Sequence, residues 1–229
     1  MKTTSVRRLQ GWGLCTYAAL VWRTSHYRIR GQEHMDRARA CGQPLVIAAW
    51  HGMTMMLCGY IAAQEDPSRY VLVVPDDPRG AVLSVWAQKL GAMPFPISME
   101  ANSMVAARRL LALIRQMREG SNLYLNPDGP DGPSHEPKEG VVFIARKARA
   151  LIVPAGAFTA TGFRLRRWDR YVVPFPFSHI AVVLGEPMAV PPEADLDSAR
   201  ARLRERLNEA EQAAEELYRR GVTCSAVPV

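Results

Sequence analysis

A chain of 229 residues, 48% of them hydrophobic, has enough apolar material to bury one sizeable core. Its net charge of +7 is unevenly placed, because residues 1–40 carry eight Lys/Arg against only Glu33 and Asp36. Four scattered cysteines (Cys15, Cys41, Cys58, Cys224) form no CxxC pair, which fits neither a disulfide framework nor a zinc site and suits a reducing compartment.

The basic end flanks "GWGLCTYAALVW", an apolar run of 12 residues from Gly11 to Trp22. As a helix it would be about 18 Å long at ~1.5 Å per residue, short of a ~30 Å hydrocarbon core. It has no small-residue cleavage site of a signal peptide. Arginines with Trp12, Tyr17 and Trp22 suit a segment lying in an anionic membrane interface. The same residues also fit a helix packed on its own domain. No nucleic-acid motif accompanies the basic residues, so no nucleic-acid partner is expected. We divide the chain into a membrane-associating segment (1–25), an α/β domain (26–221) and a short tail (222–229).

From residue 26 onward strand-like and helix-like stretches alternate. "HYRIRG" reads as a short strand by period-2 alternation, and "PLVIAAW" (44–50) and "RYVLVVP" (69–75) as strands buried on both faces. "AMPFPIS" (92–98), "SNLYLNP" (121–127), "ALIVPAGAF" (150–158) and "HIAVVLG" (179–185) complete the strands. The clearest helix is 101–119, with Met104, Ala107, Leu111, Ile114 and Met117 in one stripe and Gly120 after its end. Helical patterns also fit 52–64, 79–90 and 139–149. The tail forms a long amphipathic helix with Leu196, Leu203, Leu207, Ala210 and Leu217 inward. This alternation predicts a single-domain α/β fold, a mostly parallel or mixed sheet flanked by helices. Ligands of such sheets gather at the carboxyl ends of the strands.

His51 follows its strand at once, so it belongs to that edge. "NPDGPDGP" (126–133) is a stiff loop between a strand and a helix start near Lys138–Gly140, and it contains Asn126, Asp128, Gly129 and Pro130. Such a loop offers backbone N–H groups and a positive dipole end to an anion, although Asp-Gly-Pro is also ordinary turn chemistry. "VVPDDPRG" (73–80) sends Asp76, Asp77 and Arg79 to the same edge, with Asp77-Pro78 a good helix start. "RLRRWDRYVVPFPF" (164–177) sets Arg164, Arg166, Arg167 and Arg170 beside Trp168, as a loop facing phosphate, membrane or solvent. No GxSxG, P-loop or GxGxxG appears, and no histidine pair has metal spacing, so no metal site is expected. What remains is a histidine acting as general base on a substrate hydroxyl.

The ordered set "AAWHG", "LNPDGPDGP", "GVVFIARKARALIVPAGA", "RRWDRYVVPFPFSHIAVVLGEP" and the long final helix resembles an uncharacterised bacterial branch of the lysophospholipid acyltransferase-like (glycerolipid acyltransferase) superfamily. The resemblance covers about residues 25–220. It implies acyl transfer from an acyl thioester (acyl carrier protein or acyl-CoA) to a hydroxyl of a lysophospholipid, lipid A-type or other lipid acceptor. No cofactor is implied beyond that co-substrate. The implied location is the cytoplasmic side of the bacterial inner membrane. "NPDGP" (126–130) resembles the superfamily's Pro-Glu-Gly acceptor motif, and "LIVPAG" (151–156) its Val-Pro strand.

The superfamily's His-x4-Asp motif would put an acid at position 56, where this chain has Met56. An Arg-Asp-Gly-Glu-like segment of the bacterial branch corresponds to "DDPRGAV", with Arg79 and Ala81 at the acidic positions. The resemblance therefore makes His51 the base and leaves Asp77, Asp76 and Asp128 as candidates to orient it, Asp128 also for acceptor binding. Asp76, Arg79, Asn126, Gly129, Pro130 and Trp168 are candidate substrate contacts. The missing acid also allows a non-catalytic lipid-binding or envelope-assembly protein that keeps the fold. The Asp-rich loops allow a metal-dependent phosphoryl-transferring or hydrolytic enzyme.

Overall fold

The computed structural model describes residues 5–97 and 104–224. In chain order the elements are α1 (Ser5–Thr24), β1 (His26–Arg30), α2 (Gln32–Ala40), β2 (Leu45–Ala48), α3 (Thr54–Gln64), β3 (Tyr70–Pro75), α4 (Pro78–Leu90), β4 (Met93–Ile97), α5 (Met104–Arg118) and β5 (Asn122–Leu125). There follow α6 (Glu139–Ala148), β6 (Leu151–Phe158), β7 (Gly162–Arg164), β8 (Val172–Pro174), β9 (His179–Leu184) and α7 (Leu196–Cys224).

The main sheet runs β1-β9-β6-β2-β5-β3-β4. The stretch β6-β2-β5-β3-β4 is parallel, β9 runs antiparallel to β6, and β1 lies parallel to β9. The sheet is thus mixed and mostly parallel, as the continuous apolar runs predict. β2 is buried at every position because it is central and covered on both faces. The prolines of β4 are accommodated because β4 is the edge strand: Pro94 and Pro96 are alternate residues, so their missing N–H groups fall on one side.

Helices cover the sheet in two groups: α1 packs on α3 and α4, while α7 crosses β6 and β9 and touches α6, which touches α5. In α7, Leu203, Leu207, Ala210 and Ala214 are buried, each leucine contributing roughly 2 kcal/mol by area. Its outer face is laced by Glu215–Arg219 and Glu216–Arg220 pairs.

Three expectations are corrected. In α5 the buried residues are Leu113, Ile114 and Met117, with Leu110 packed beside them, whereas Met104 and Leu111 are exposed. At 3.6 residues per turn Met104 and Leu111 fall on the flank of that face, so the apolar stripe is wider than the surface that the sheet covers. Residues 98–103, the start of the expected helix and the end of the expected 92–98 strand, lie outside the described residues. The stretch 164–177 is not a plain loop, since β7 and β8 form a hairpin that pairs Gly162 with Pro174 and Arg164 with Val172. The helix of the basic end is longer than the apolar run, extending over 20 residues. It buries Ala18 and Val21, and Trp22 donates from Nε1 to the Met55 carbonyl at 2.9 Å. Among the described residues no helix is long and apolar enough to cross a membrane.

Candidate active site

Sheet register builds the site. Ala48 of β2 pairs with Leu125 of β5 on one side and Pro154 of β6 on the other. The residues just past 48 and just past 125 must therefore emerge side by side at the carboxyl edge. Asn126 stitches them: its Nδ2 donates to the Ala49 carbonyl at 2.9 Å, and its Oδ1 lies 3.1 Å from the Thr54 hydroxyl. The same hydroxyl lies 2.8 Å from the His51 carbonyl and so helps close the 3-10 turn His51–Met53 that starts α3.

Asp128 is fully buried and accepts the His51 backbone N–H at 3.2 Å (Oδ1) and 3.4 Å (Oδ2). Burial raises its pKa to about 6, while the N–H groups of His51, Asp128 itself and His135 oppose that rise. Gly129 adopts φ 70°, which lets the loop turn back: its N–H bonds the Asn126 carbonyl at 3.1 Å. The Lys138 ammonium lies against it, 3.0 Å from where a Cβ at Gly129 would stand.

The His51 ring packs edge-on to Trp168 (centroids 5.5 Å apart) and near Tyr171 (6.2 Å). Its Nδ1 is buried with no hydrogen-bond partner among the described residues. Burial lowers the His51 pKa; the Asp169 carboxylate raises it, Arg167 lowers it, and the Gly129 backbone and Asp131 raise it in smaller measure. The ring is consequently neutral at pH 7, the state a general base requires, while its buried Nδ1 faces protein and not solvent.

Asp169 is a buried acid whose charge acts on His51 and which the sequence did not single out. Its side chain is fully buried, pairs with Arg167 at 3.2 Å and accepts the Tyr171 N–H at 3.3 Å. Gly52 brings it close, since a Cβ there would lie 2.4 Å from the Asp169 carbonyl oxygen. A signal was present in the Trp168-Asp169 step of the basic stretch, but four surrounding arginines made it read as a charged surface loop. Trp168 also lies against Gly132, so one indole spans the DGP loop and the base.

The other candidates sit differently. Asp77 caps α4, accepting the Arg79 and Gly80 N–H groups at 2.7 and 3.1 Å, and its pKa is lowered chiefly by the Arg79 side chain. Arg79 also reaches Asp131 at 3.5 Å, clamping the β3–α4 turn to the DGP loop. Asp76 faces Arg109 at 4.0 Å, and its N–H bonds the Ile97 carbonyl. Neither Asp76 nor Asp77 is bonded to His51. Pro130 stands half-buried in the loop beside Asp131, and Met56 is core.

A second histidine braces the loop. His135 lies 2.7 Å from Glu211 of α7 through Nε2 and 2.7 Å from the Ser134 hydroxyl through Nδ1, and Glu211 raises its pKa. Trp50 packs tilted against His135 (centroids 5.0 Å apart) and donates to Asn208 of α7 at 3.1 Å. The Trp-His pair of the apolar strand thus serves two purposes: Trp50 anchors the strand end to α7, and His51 is delivered to the carboxyl edge. Among the described residues no three His, Cys, Asp or Glu side chains converge as metal ligands.

The chain aligns over 92% of its length with 80% of the crystal structure of the 1-acyl-sn-glycerophosphate (LPA) acyltransferase, PlsC, from Thermotoga maritima, with a TM-score of 0.56 and 16% identity. The two chains share a fold. In sequence, the chain is 27% identical over 175 residues to "Uncharacterized protein RP090" of Rickettsia prowazekii (strain Madrid E), covering 76% of this chain and 78% of that protein. No family model matches.

Proposed function

We propose that the protein is an acyltransferase in which His51 is the general base. The observation that carries this reading is a buried imidazole held neutral at the carboxyl edge of a sheet whose fold is shared with an acyltransferase. His51 takes the proton of an acceptor hydroxyl as its oxygen attacks the carbonyl of an acyl thioester. The C–O bond forms, the C–S bond breaks, and the thiolate leaves with the proton from the imidazolium. Lys138 and the α6 start, whose backbone N–H groups carry no side-chain cap, supply positive potential for the oxyanion or an acceptor phosphate. The acceptor is a lipid and the donor an acyl-ACP or acyl-CoA.

Action at the cytoplasmic side of the inner membrane is supported by the surface. Leu9, Trp12 and Leu20 are exposed on α1, and Phe163, Phe175 and Phe177 on the β7–β8 region. The two are joined by the Tyr17 hydroxyl bonding the Pro174 carbonyl at 2.8 Å and by the Phe177 N–H bonding the Thr24 hydroxyl at 3.0 Å. Apolar tips beside Arg23, Arg164 and Arg166 match an anionic interface.

The test is acyl transfer to lysophospholipid and lipid A-type acceptors by wild type and His51→Ala, together with lipid mass spectrometry of a deletion strain complemented by each. A loss of about 10²–10⁴-fold is expected. If the variant transfers acyl groups and restores lipid composition as wild type does, the catalytic reading fails.

A further inference from the structure

The amino edge of the sheet, opposite the edge that carries His51, holds two adjoining clefts. One of about 230 Å³ is lined by Arg118, Arg146, Lys147, Arg149 and Pro192. The other, about 490 Å³, is lined by Gly42, Gln43, Pro44, Arg118, Ala148 and Arg149. Gln43 and Pro44 lead into β2 and Arg149 leads into β6, so the clefts lie a full strand length from the catalytic edge.

The helix dipole explains part of this charge, because Arg118 ends α5 and Arg146 and Lys147 lie in the last turn of α6. Arg149 is not explained that way. It ends α6 in the left-handed region (φ 55°, ψ 39°), where glycine is the ordinary residue and a side chain is strained. The strained position projects a cation into both clefts. Arg118 is fixed in place by donating from Nε and Nη2 to the Lys147 carbonyl at 3.0 and 2.6 Å. Its Nη1 has no partner among the described residues. No carboxylate among the described residues forms an ion pair with any of the four cations. Arg146 reaches the Ala194 carbonyl at 3.4 Å and Lys147 lies over the Phe143 ring, contacts that leave the positive charge of all four unbalanced, so an anion among them would relieve their repulsion.

We propose that these clefts bind a phosphate-bearing ligand, with the phosphate among Arg118, Arg146, Lys147 and Arg149 and a polar remainder beside Gln43. Guanidinium forks match phosphate oxygens, and four cations exceed what one carboxylate would balance. The larger cleft has the volume of a small-ligand site. The phosphate comes from a free phosphorylated molecule or from a lipid head group. The site is separate from His51 and does not depend on the acyl-transfer reading.

The full chain is titrated calorimetrically with inorganic pyrophosphate at constant ionic strength, and cosedimented with phosphatidylcholine vesicles with and without phosphatidic acid. Saturable pyrophosphate binding is expected, weakened at least tenfold in Arg149→Gly and unchanged in Arg219→Ala on the outer face of α7. Glycine relieves the strained helix end, so the melting temperature of Arg149→Gly should hold or rise, and lost binding cannot then be misfolding. Arg146→Gln should weaken binding in the same direction without touching the helix end. If Arg149→Gly also lowers sedimentation with phosphatidic acid vesicles, the head group is the source; if sedimentation is equal, the ligand is a free phosphate compound. No saturable pyrophosphate binding, loss only in Arg219→Ala, or binding of polyglutamate but not pyrophosphate overturns the proposal.

Discussion

The carboxylate of Asp128 holds the backbone of His51 and not its ring: the His51 N–H donates to Oδ1 at 3.2 Å while the ring Nδ1 is unpartnered. Asp128 thus sets where His51 stands, and the field of Asp169 acts on how basic its ring is. The division has a cost, because Asp128 keeps a buried charge whose pKa is raised to about 6. A folded-state value above the unfolded one means the native protein binds the proton more tightly, so stability falls as pH rises from about 4 to 6. Asp128→Asn should therefore be more stable than wild type at pH 7, by at most about 3 kcal/mol at ~1.4 kcal/mol per unit. The gain should shrink to nothing below about pH 4, where the acid is neutral in both states. Denaturant unfolding across that range measures it, and a pH-independent difference would refute the buried charge. Activity should drop by about tenfold, since an amide holds the turn less firmly.

Asp169→Asn addresses the ring. Removing the largest charge that favours the protonated imidazole should lower the His51 pKa further and weaken the base. Imidazole titration followed by NMR should shift downward, with acyl transfer reduced roughly 10–100-fold at pH 7. An unchanged titration would show that Asp169 does not act on His51.

Gly52→Ala should separate the base from that acid. The added Cβ would lie 2.4 Å from the Asp169 carbonyl, a backbone atom, so the 167–170 turn must move. A loss of about 1–3 kcal/mol is expected, a drop of several degrees in melting temperature, together with lost activity. Gly13→Ala is the control, because nothing lies within 4 Å of its Cβ position in α1. It should be neutral or stabilise by up to about 1 kcal/mol. Equal melting temperatures for the two variants would defeat the argument.

Glu211→Gln tests the brace between α7 and the loop. Glu211 raises the pKa of His135, so the stability it contributes is fully present below about pH 6.5 and is lost as pH rises through the raised value. Both side chains are partly exposed (41% and 34%), so the pair is screened. The variant should melt roughly 1–3 °C below wild type at pH 6 and together with it at pH 9. A difference that grows with pH would have the wrong sign.

Much of the site was legible because strand ends declare themselves. An apolar run that stops in Trp50-His51-Gly52 places a histidine at the carboxyl edge by local pattern alone, and the prolines and glycines of 127–133 specify a stiff loop. What was not legible was which acids the fold brings near that histidine. Asp76 and Asp77 follow a strand at the same edge, yet β3 is separated from β2 by β5, and Asp77 is spent capping α4. Asp169 lies 118 positions along the chain and reaches His51 through a hairpin whose strands are three residues each.

Local physics explains the division. Hydrophobic period, proline, glycine and cap residues act over a few neighbours, so the sequence by itself determined the strands of the main sheet, most helices and a histidine at its carboxyl edge. Pairing β2 between β5 and β6 is a choice among distant partners, decided by burial of whole strand faces rather than by any local signal. Only that tertiary choice put Asp128 on the backbone of His51, Asp169 near its ring, and the cations of Arg118 and Arg149 together at the opposite edge.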